Sequence, residues 1–234
     1  MNTFVRIMSG MLGLAGGKLQ KAHLRLTVGP RLWEVQRWVA DRGDLRLRLD
    51  YPLTAEDVVW DVGAFEGQWA SDISAKFGCT VHAFEPMPDF SAVVRNRLGR
   101  NPRITVHDFG LGATDASVMM TAADDGSSHV KPAARADRAS RFEVRIRDVR
   151  HVFKELGARK VTLLKLNIEG AEYELLEAMI AGGLMSHFDY LQIQFHDFVV
   201  DAASRRDAIV AALAVTHHRT WCYPFVWENW TRRK

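Results

Sequence analysis

A glycine-containing turn that follows an apolar segment is the first candidate binding site in the chain. Segment 58–62 is apolar except for Asp61, and the turn after it contains residues that could approach a ligand through their backbone: Gly63, Ala64, Phe65 and Gly67. Glycine turns tightly and has no Cβ in the way of a ligand, and the first N–H groups of a following helix are unpaired. The Asp61 carboxylate suits the ammonium group of an amino-acid moiety. We therefore expect these five residues to bind one end of a cofactor.

A second acidic residue, Glu85, ends the next apolar segment and is followed by Pro86. In an open α/β sheet an acidic residue at this point can reach a ribose and accept hydrogen bonds from both of its hydroxyls. The dinucleotide fingerprint GxGxxG is absent, and Asp61 ahead of the first glycine would repel a pyrophosphate. The pair predicts an adenosyl ligand. Asp108, after the third strand, is either a contact on the adenine side or a loop-capping residue.

Polar residues also follow two later apolar segments, where we expect the reaction centre. Asn167, Glu169 and Glu172 follow one of them, and His196 and Asp197 follow the other. An imidazole titrates near pH 6.5 before perturbation, so His196 is the better candidate for a general base, with Asp197 or Glu169 to orient it. Asn167 could hold the cofactor by hydrogen bonds, and Glu172 fits the role of an acid that stabilises a helix dipole.

The same residues allow an alternative in which Glu169, His196 and Asp197 bind Mg²⁺ or a similar cation. We do not favour it, because Asn167 contributes no charge where a fourth charged ligand would be needed. Four aromatic residues near the end of the chain are predicted to form hairpin core or, alternatively, a wall for a sugar face: Trp221, Tyr223, Trp227 and Trp230.

The elements that must position these residues alternate between strand and helix after residue 57. Strands are predicted at 58–62, 80–84, 104–106, 117–121, 142–146, 161–166, 190–195, 219–223 and 225–230. Helices are predicted at 4–15, 31–41, 68–77, 88–98, 149–156 (capped by Asp148), 171–181 and 205–214. The pattern predicts a mostly parallel sheet with helices on both faces and a terminal antiparallel hairpin, with a mobile loop at 122–140. We divide the chain into an N-terminal helical segment, residues 1–50, and one α/β domain, residues 51–234.

Composition excludes several classes of protein. Hydrophobic residues make up 47% and charged residues 25% of the 234-residue chain, the balance of a soluble globular protein. No apolar run reaches the ~20 residues that span a membrane, and no secretory signal is evident. Cys79 and Cys222 fit two unpaired thiols in the cytoplasm. The net charge is only +3 and the basic residues are scattered along the chain, which argues against a nucleic-acid partner. The N-terminal helices could pack on the domain or on a second copy of the chain.

Three stretches of the sequence resemble the FkbM family of methyltransferases. They are Val58-Val59-Trp60-Asp61-Val62-Gly63-Ala64 with Gly67, then Ala83-Phe84-Glu85-Pro86, then Leu164-Lys165-Leu166-Asn167-Ile168-Glu169-Gly170-Ala171-Glu172. The third is the most specific. The resemblance runs from about residue 47 to the end of the chain, and Asn167 departs from the Asp that is usual in the family.

The resemblance implies a class I methyltransferase fold with a seven-stranded sheet, S-adenosylmethionine as donor, and a hydroxyl of a sugar, glycolipid or natural product as acceptor. Two other functions stay open. One is a nucleic-acid or protein methyltransferase on the same fold, although the chain lacks the Asp/Asn-Pro-Pro-aromatic motif and the Pro-Cys pair that such enzymes use. The other is a module without catalytic activity, which only Asn167 supports. A dehydrogenase is the least favoured alternative, since GxGxxG is absent.

Overall fold

The structure is a computed structural model that describes residues 30–123, 126–128 and 141–234. The helix predicted at 4–15 and most of the loop predicted at 122–140 lie outside the described residues. In the described part, residues 122–123 and 126–128 belong to strands. No described helix is long and apolar enough to cross a membrane.

Seven strands form the main sheet, in the order β10-β11-β9-β8-β1-β2-β3. They are β1 (Val58–Val62), β2 (Thr80–Phe84), β3 (Ile104–His107), β8 (Val161–Leu166), β9 (Phe188–Ile193), β10 (His217–Tyr223) and β11 (Trp227–Arg232). The pairs from β3 to β9 are parallel, while β11 pairs antiparallel with both β9 and β10. The predicted parallel sheet and terminal hairpin are confirmed.

A second sheet of four strands, in the order β4-β7-β5-β6, lies between β3 and β8 in sequence. Its strands are β4 (Gly110–Gly112), β5 (Ala116–Ala123), β6 (Gly126–Ser128) and β7 (Arg141–Asp148). Two of them were predicted as extended segments, but not as a sheet of their own. The local pattern of these half-exposed strands gave no sign of the partner strands.

Helices cover both faces of the main sheet. They are α1 (Pro30–Ala40), α2 (Gly43–Arg46), α3 (Gln68–Phe77), α4 (Pro88–Leu98), α5 (Val149–Glu155), α6 (Glu172–Ala181) and α7 (Ala202–Thr216), with a short 3-10 helix at Leu184–His187. One core contains residues of α5, α6 and α7, and the other contains residues of α3 and α4. Along β1, Trp60 and Val62 face the first core and Val59 faces the second. Strand alternation puts Asp61 on the same face as Val59.

Helix α1 packs against the terminal hairpin rather than standing apart. The Trp38 ring lies 5.1 Å from that of Tyr223 and 5.7 Å from that of Trp221, and Trp38 shares a cluster with Trp227. Trp230 is buried in the larger core. The prediction that most of the C-terminal aromatic residues form core is therefore confirmed.

Outside β1, β2 and β8, every predicted strand of these two sheets differs from the structure by one or two residues at one end or both, and two of these differences involve a buried or turn phenylalanine. Strand β9 ends at Ile193, two residues before the predicted end at residue 195. The prediction extended the strand because Leu191, Ile193 and Phe195 alternate as in a strand, but Phe195 is buried in the core from the loop that follows β9. Phe225 was predicted to lie in a strand, but it lies in the turn between β10 and β11 with φ 58°. Burial explains both errors, since an apolar residue can be buried from a turn as well as from a strand.

Candidate functional site

The carboxyl ends of β1, β2, β3, β8 and β9 meet at one edge of the sheet, because these five strands are parallel. Ligands of open α/β sheets bind at this edge. The polar residues singled out in the sequence lie at the carboxyl ends of these strands or just beyond them. The edge is therefore the candidate site.

Asp61 is fully buried and carries one satisfied and one unsatisfied oxygen. Its Oδ1 accepts a hydrogen bond from Lys165 Nζ at 2.8 Å. Its Oδ2 is buried and has no hydrogen-bond partner within the described residues. Buried polar atoms are nearly always satisfied, so this oxygen fits a ligand that donates a hydrogen bond, such as the predicted ammonium group.

Gly63 and Gly67 are required by close packing as well as by turn geometry. Both have positive φ, 81° and 77°. A Cβ on Gly63 would lie 1.9 Å from the carbonyl oxygen of Asn167, and one on Gly67 would lie 3.0–3.1 Å from Leu98 and Val94 of α4. From the sequence, these glycines were explained by tight turning and by the approach of a ligand. In the structure they also hold the turn against β8 and α4.

Glu85 is buried at the end of β2 and faces the turn. Its Oε2 accepts a hydrogen bond from the Phe65 N–H at 2.8 Å, and its Oε1 accepts one from the Met87 N–H at 3.0 Å. Burial raises the pKa of Glu85 to about 7, against the lowering effect of these hydrogen bonds. Each oxygen keeps a further lone pair, so the carboxylate can still accept both protons of a diol. Ala64 is buried beside it, while Phe65 is 42% exposed.

Asp108 and Pro86 line a cleft of about 430 Å³ between α4 and β7. Asp108 is exposed and forms ion pairs with Arg145, at 3.2 Å, and with Arg95, at 3.8 Å. Both arginines also line the cleft. Asp108 thus lies just after β3, but two cations already bind its carboxylate, and its contact with the adenine side stays a prediction.

Asn167 supplies a second unsatisfied oxygen at this edge. Its side-chain Oδ1 is buried and, in the described part of the chain, accepts no hydrogen bond. Its backbone N–H donates to the Val62 carbonyl at 3.0 Å, which fixes the residue beside the Gly63 turn. Asn167 Oδ1 and Asp61 Oδ2 together fit the polar end of S-adenosylmethionine, so the residues present fit the implied donor.

His196 lies between two glutamates and is 3% exposed. Glu172 Oε1 accepts from the His196 backbone N–H at 2.8 Å and lies 3.0 Å from Nδ1, while Nε2 lies 3.6 Å from Glu169 Oε1. Burial lowers the pKa of His196, but the adjacent carboxylates of Glu169 and Glu172 outweigh it and raise the pKa to about 9. Glu169 itself has φ 53°, a strained conformation of the kind that clusters at functional sites.

The structure brings Glu169 to His196 but not Asp197. The Asp197 carboxylate forms an ion pair with Arg31 of α1 at 2.7 Å and is partly exposed. The orienting carboxylate is instead Glu172, whose Oε2 also accepts from the Gly170 N–H. Among the described residues, no group of three or more His, Cys, Asp or Glu side chains could hold a metal ion.

Sequence reasoning missed two residues of the site. Glu172 was assigned to the helix dipole, yet it is fully buried against His196. Lys165 was treated as part of an apolar strand, yet its Nζ bridges Asp61 and the Gly63 carbonyl. A charged residue within a strand predicted to be buried was the available signal, since buried charges need a partner.

Comparisons with known proteins identify the family of the chain. Residues 61–215, more than half of the chain, match the family described as Methyltransferase FkbM domain. Methyltransferase 1 of Beauveria bassiana (strain ARSEF 2860) is 29% identical over 152 residues, which cover 55% of this chain and 60% of that protein. The chain thus spans less than two thirds of the length of this curated relative.

Solved structures overlap over most of the chain at low identity. The N-methyltransferase NodS from Bradyrhizobium japonicum WM9, in complex with S-adenosyl-L-homocysteine, has a TM-score of 0.44 at 10% identity and covers 83% of this chain and 87% of that chain. An rRNA methylase from Streptococcus thermophilus has a TM-score of 0.45 at 12% identity, covering 78% and 90%. With TM-scores below 0.5, these overlaps say nothing about the acceptor.

Proposed function

The chain belongs to the FkbM family of S-adenosylmethionine-dependent methyltransferases, and from that premise we propose that it methylates a hydroxyl oxygen of a sugar, glycolipid, glycan or natural product. The predicted class I fold is confirmed by the mostly parallel seven-stranded sheet and its antiparallel C-terminal strands. The family resemblance supports the acceptor class. The arrangement of His196 beside the donor-binding edge supports the reaction.

The residues that would hold the donor are spread along the edge from β8 to β3. When bound, S-adenosylmethionine supplies an electrophilic methyl carbon on a sulfonium. Asp61 Oδ2 and Asn167 Oδ1 are the unsatisfied acceptors for its amino-acid end. Glu85 would bind the ribose diol, and the cleft that contains Pro86 and Asp108 suits the adenine side. Gly63, Ala64, Phe65 and Gly67 form the turn between these two ends.

His196 carries the proposal for catalysis. A sugar hydroxyl is a poor nucleophile until its proton is removed, so a base beside the methyl group matters. Glu172 accepts at Nδ1, which fixes the ring and leaves Nε2 to take the acceptor's proton. Glu169, 3.6 Å from Nε2, would stabilise the imidazolium that forms. Asp197 takes no part in this arrangement, because its carboxylate is bound to Arg31.

The remaining contribution of the chain is alignment of the acceptor oxygen with the methyl carbon. Positioning of this kind lowers the activation barrier by roughly 7–11 kcal/mol in favourable intramolecular reactions. No cation is needed for it, and we propose a mechanism that is independent of metal. Full turnover in excess chelator is the expected result; loss of turnover that Mg²⁺ restores would contradict it.

The test is a panel of acceptors with isotopically labelled donor. Glycosides, lipid-linked sugars and hydroxylated natural products form the first arm, and RNA and protein substrates form the second. We expect label transfer in the first arm alone. Transfer to RNA or protein would favour the alternative methyltransferase, and donor binding without any transfer to either arm would contradict the proposed activity.

A further inference from the structure

A row of polar side chains crosses four neighbouring strands of the main sheet at the same level. The strand register pairs Asp61 of β1 with Lys165 of β8, Lys165 with Gln192 of β9, and Gln192 with Asn229 of β11. All four are at most 5% exposed. Such a row inside a sheet is costly unless its members satisfy one another.

The members far from the candidate site are satisfied by the segment before β1. Gln192 donates to the Tyr51 hydroxyl at 2.7 Å and to the Arg48 carbonyl at 3.0 Å, and Tyr51 donates to Asn229 at 2.7 Å. Lys165 takes no part in these hydrogen bonds. Its Nζ instead donates to Asp61 Oδ1 at 2.8 Å and to the Gly63 carbonyl at 2.7 Å.

Lys165 thus holds both ends of the segment that begins the turn. A buried ammonium is stable only with an anionic partner and further acceptors, and these two contacts provide them. Through Asp61 Oδ1 the contact fixes the rotation of the carboxylate, and through the Gly63 carbonyl it fixes the first peptide of the turn. The second carboxylate oxygen, Oδ2, stays buried with no hydrogen-bond partner in the described chain.

We propose that Lys165 is a positioning residue for the donor's amino-acid end, binding one oxygen of Asp61 so that the other accepts a hydrogen bond from the donor's ammonium. Each cation would then bind its own oxygen of the Asp61 carboxylate. Burial lowers the pKa of Lys165 and the Asp61 carboxylate opposes that effect, in keeping with a tight pair. The proposal depends on the family's donor and is independent of the acceptor.

The test compares two ligands that differ only at the amino-acid end. S-adenosylhomocysteine carries the amino acid, whereas 5′-methylthioadenosine keeps the adenosine and the thioether without it. By calorimetry, Lys165→Met should weaken S-adenosylhomocysteine binding about tenfold to hundredfold, as expected for a lost charged hydrogen bond, and change 5′-methylthioadenosine binding less than about threefold. Lys160→Met is the matched control, since that lysine forms its ion pair with Asp189 outside the site, and it should change neither affinity.

A double variant covers the case in which Lys165→Met leaves Asp61 too poorly compensated to fold. Asp61→Asn and Asp61→Asn with Lys165→Met should bind S-adenosylhomocysteine about equally weakly, because the proposed effect of Lys165 on the donor's ammonium is exerted through Asp61. Equal losses for both ligands, or additive losses in the double variant, would show that Lys165 is merely structural. An acceptor panel without activity would leave these binding results unchanged, so failure of the proposed function is distinguishable.

Discussion

The ionisation of His196 determines when the proposed base can act. Its pKa is raised to about 9 by Glu169 and Glu172, so near pH 7 the imidazole is mostly protonated. A base must be unprotonated, and kcat/KM reports the groups of the free enzyme. We expect kcat/KM for the acceptor, measured with saturating donor so that the ionisation of Glu85 does not contribute, to rise with pH through an ionisation near 9. Glu172→Gln should shift this ionisation to lower pH, and a limb near 6.5 in both proteins would contradict the role of the glutamates.

Substitution of His196 separates a catalytic from a structural role. His196→Gln should lower kcat by roughly 10²–10⁴ and leave donor affinity nearly unchanged. His218→Gln, at an exposed position, is the control and should keep wild-type kinetics. A folded His196→Gln protein that retains more than about a tenth of its kcat would fall below the range of general-base catalysis, and Glu169 would become the next candidate.

Glu85 predicts a pH dependence of donor binding. Its raised pKa of about 7 means that the carboxylate becomes protonated as the pH falls through neutrality. Because the ionised form accepts both ribose protons, affinity for S-adenosylhomocysteine should fall about tenfold between pH 8 and pH 6. Calorimetry across this range should show no such trend for Glu85→Gln, which should bind weakly throughout. A slope that persists in the variant would assign the effect to another group.

The sequence predicted which residues belong to this site better than it predicted which of them contact one another. Asp61, Glu85 and His196 were identified from their places at strand ends, which the parallel topology alone brings together. The orienting role of Glu172 and the bridge made by Lys165 depend on side-chain direction and on pairing between distant strands. Asp197 was named as an alternative to Glu169 for the same reason: adjacency in sequence does not reveal which carboxylate faces the ring.

At the scale of elements, the turn from β1 to α3 depends on the close approach of β8. Gly63→Ala places a methyl group where the Asn167 carbonyl stands, so it should cost more stability than left-handed backbone strain alone. Gly157→Ala is a suitable control, since Gly157 has φ 60° and a Cβ added there would meet no atom within 4 Å. Urea denaturation should show that the control lowers the free energy of unfolding by roughly 1–2 kcal/mol and that Gly63→Ala lowers it by more. Equal losses would contradict the packing role.

The elements themselves followed from the sequence where periodicity and burial agree. Strands β1, β2 and β8 are mostly buried, as expected under two layers of helices, and their bounds were predicted correctly. The second sheet was not predicted, because its strands are half-exposed and because β7 pairs with strands that lie far from it in the sequence. A local pattern carries no information about such pairing.

At the scale of the whole molecule, α1 and the terminal hairpin form one unit. The division at residue 50 stays a proposal, but Trp38 is buried against Tyr223 and Trp227. Trp38→Ala should lower the free energy of unfolding by about 3–5 kcal/mol, as for other buried tryptophans. The variant should unfold in a single transition at a lower melting temperature. Trp33→Ala, at a half-buried position of the same helix, should cost less. Two separate transitions would show that α1 folds independently of the hairpin.

The most direct test of the central claim is the chemical identity of the transferred methyl group. Purified protein would be incubated with donor labelled with ¹³C at the methyl group and with the best acceptor of the panel, and the product examined by NMR. The account predicts a methyl carbon bonded to oxygen, formed by the wild-type protein and by His218→Gln and nearly absent with His196→Gln. A methyl carbon bonded to nitrogen or carbon, or equal yields from His196→Gln, would contradict it.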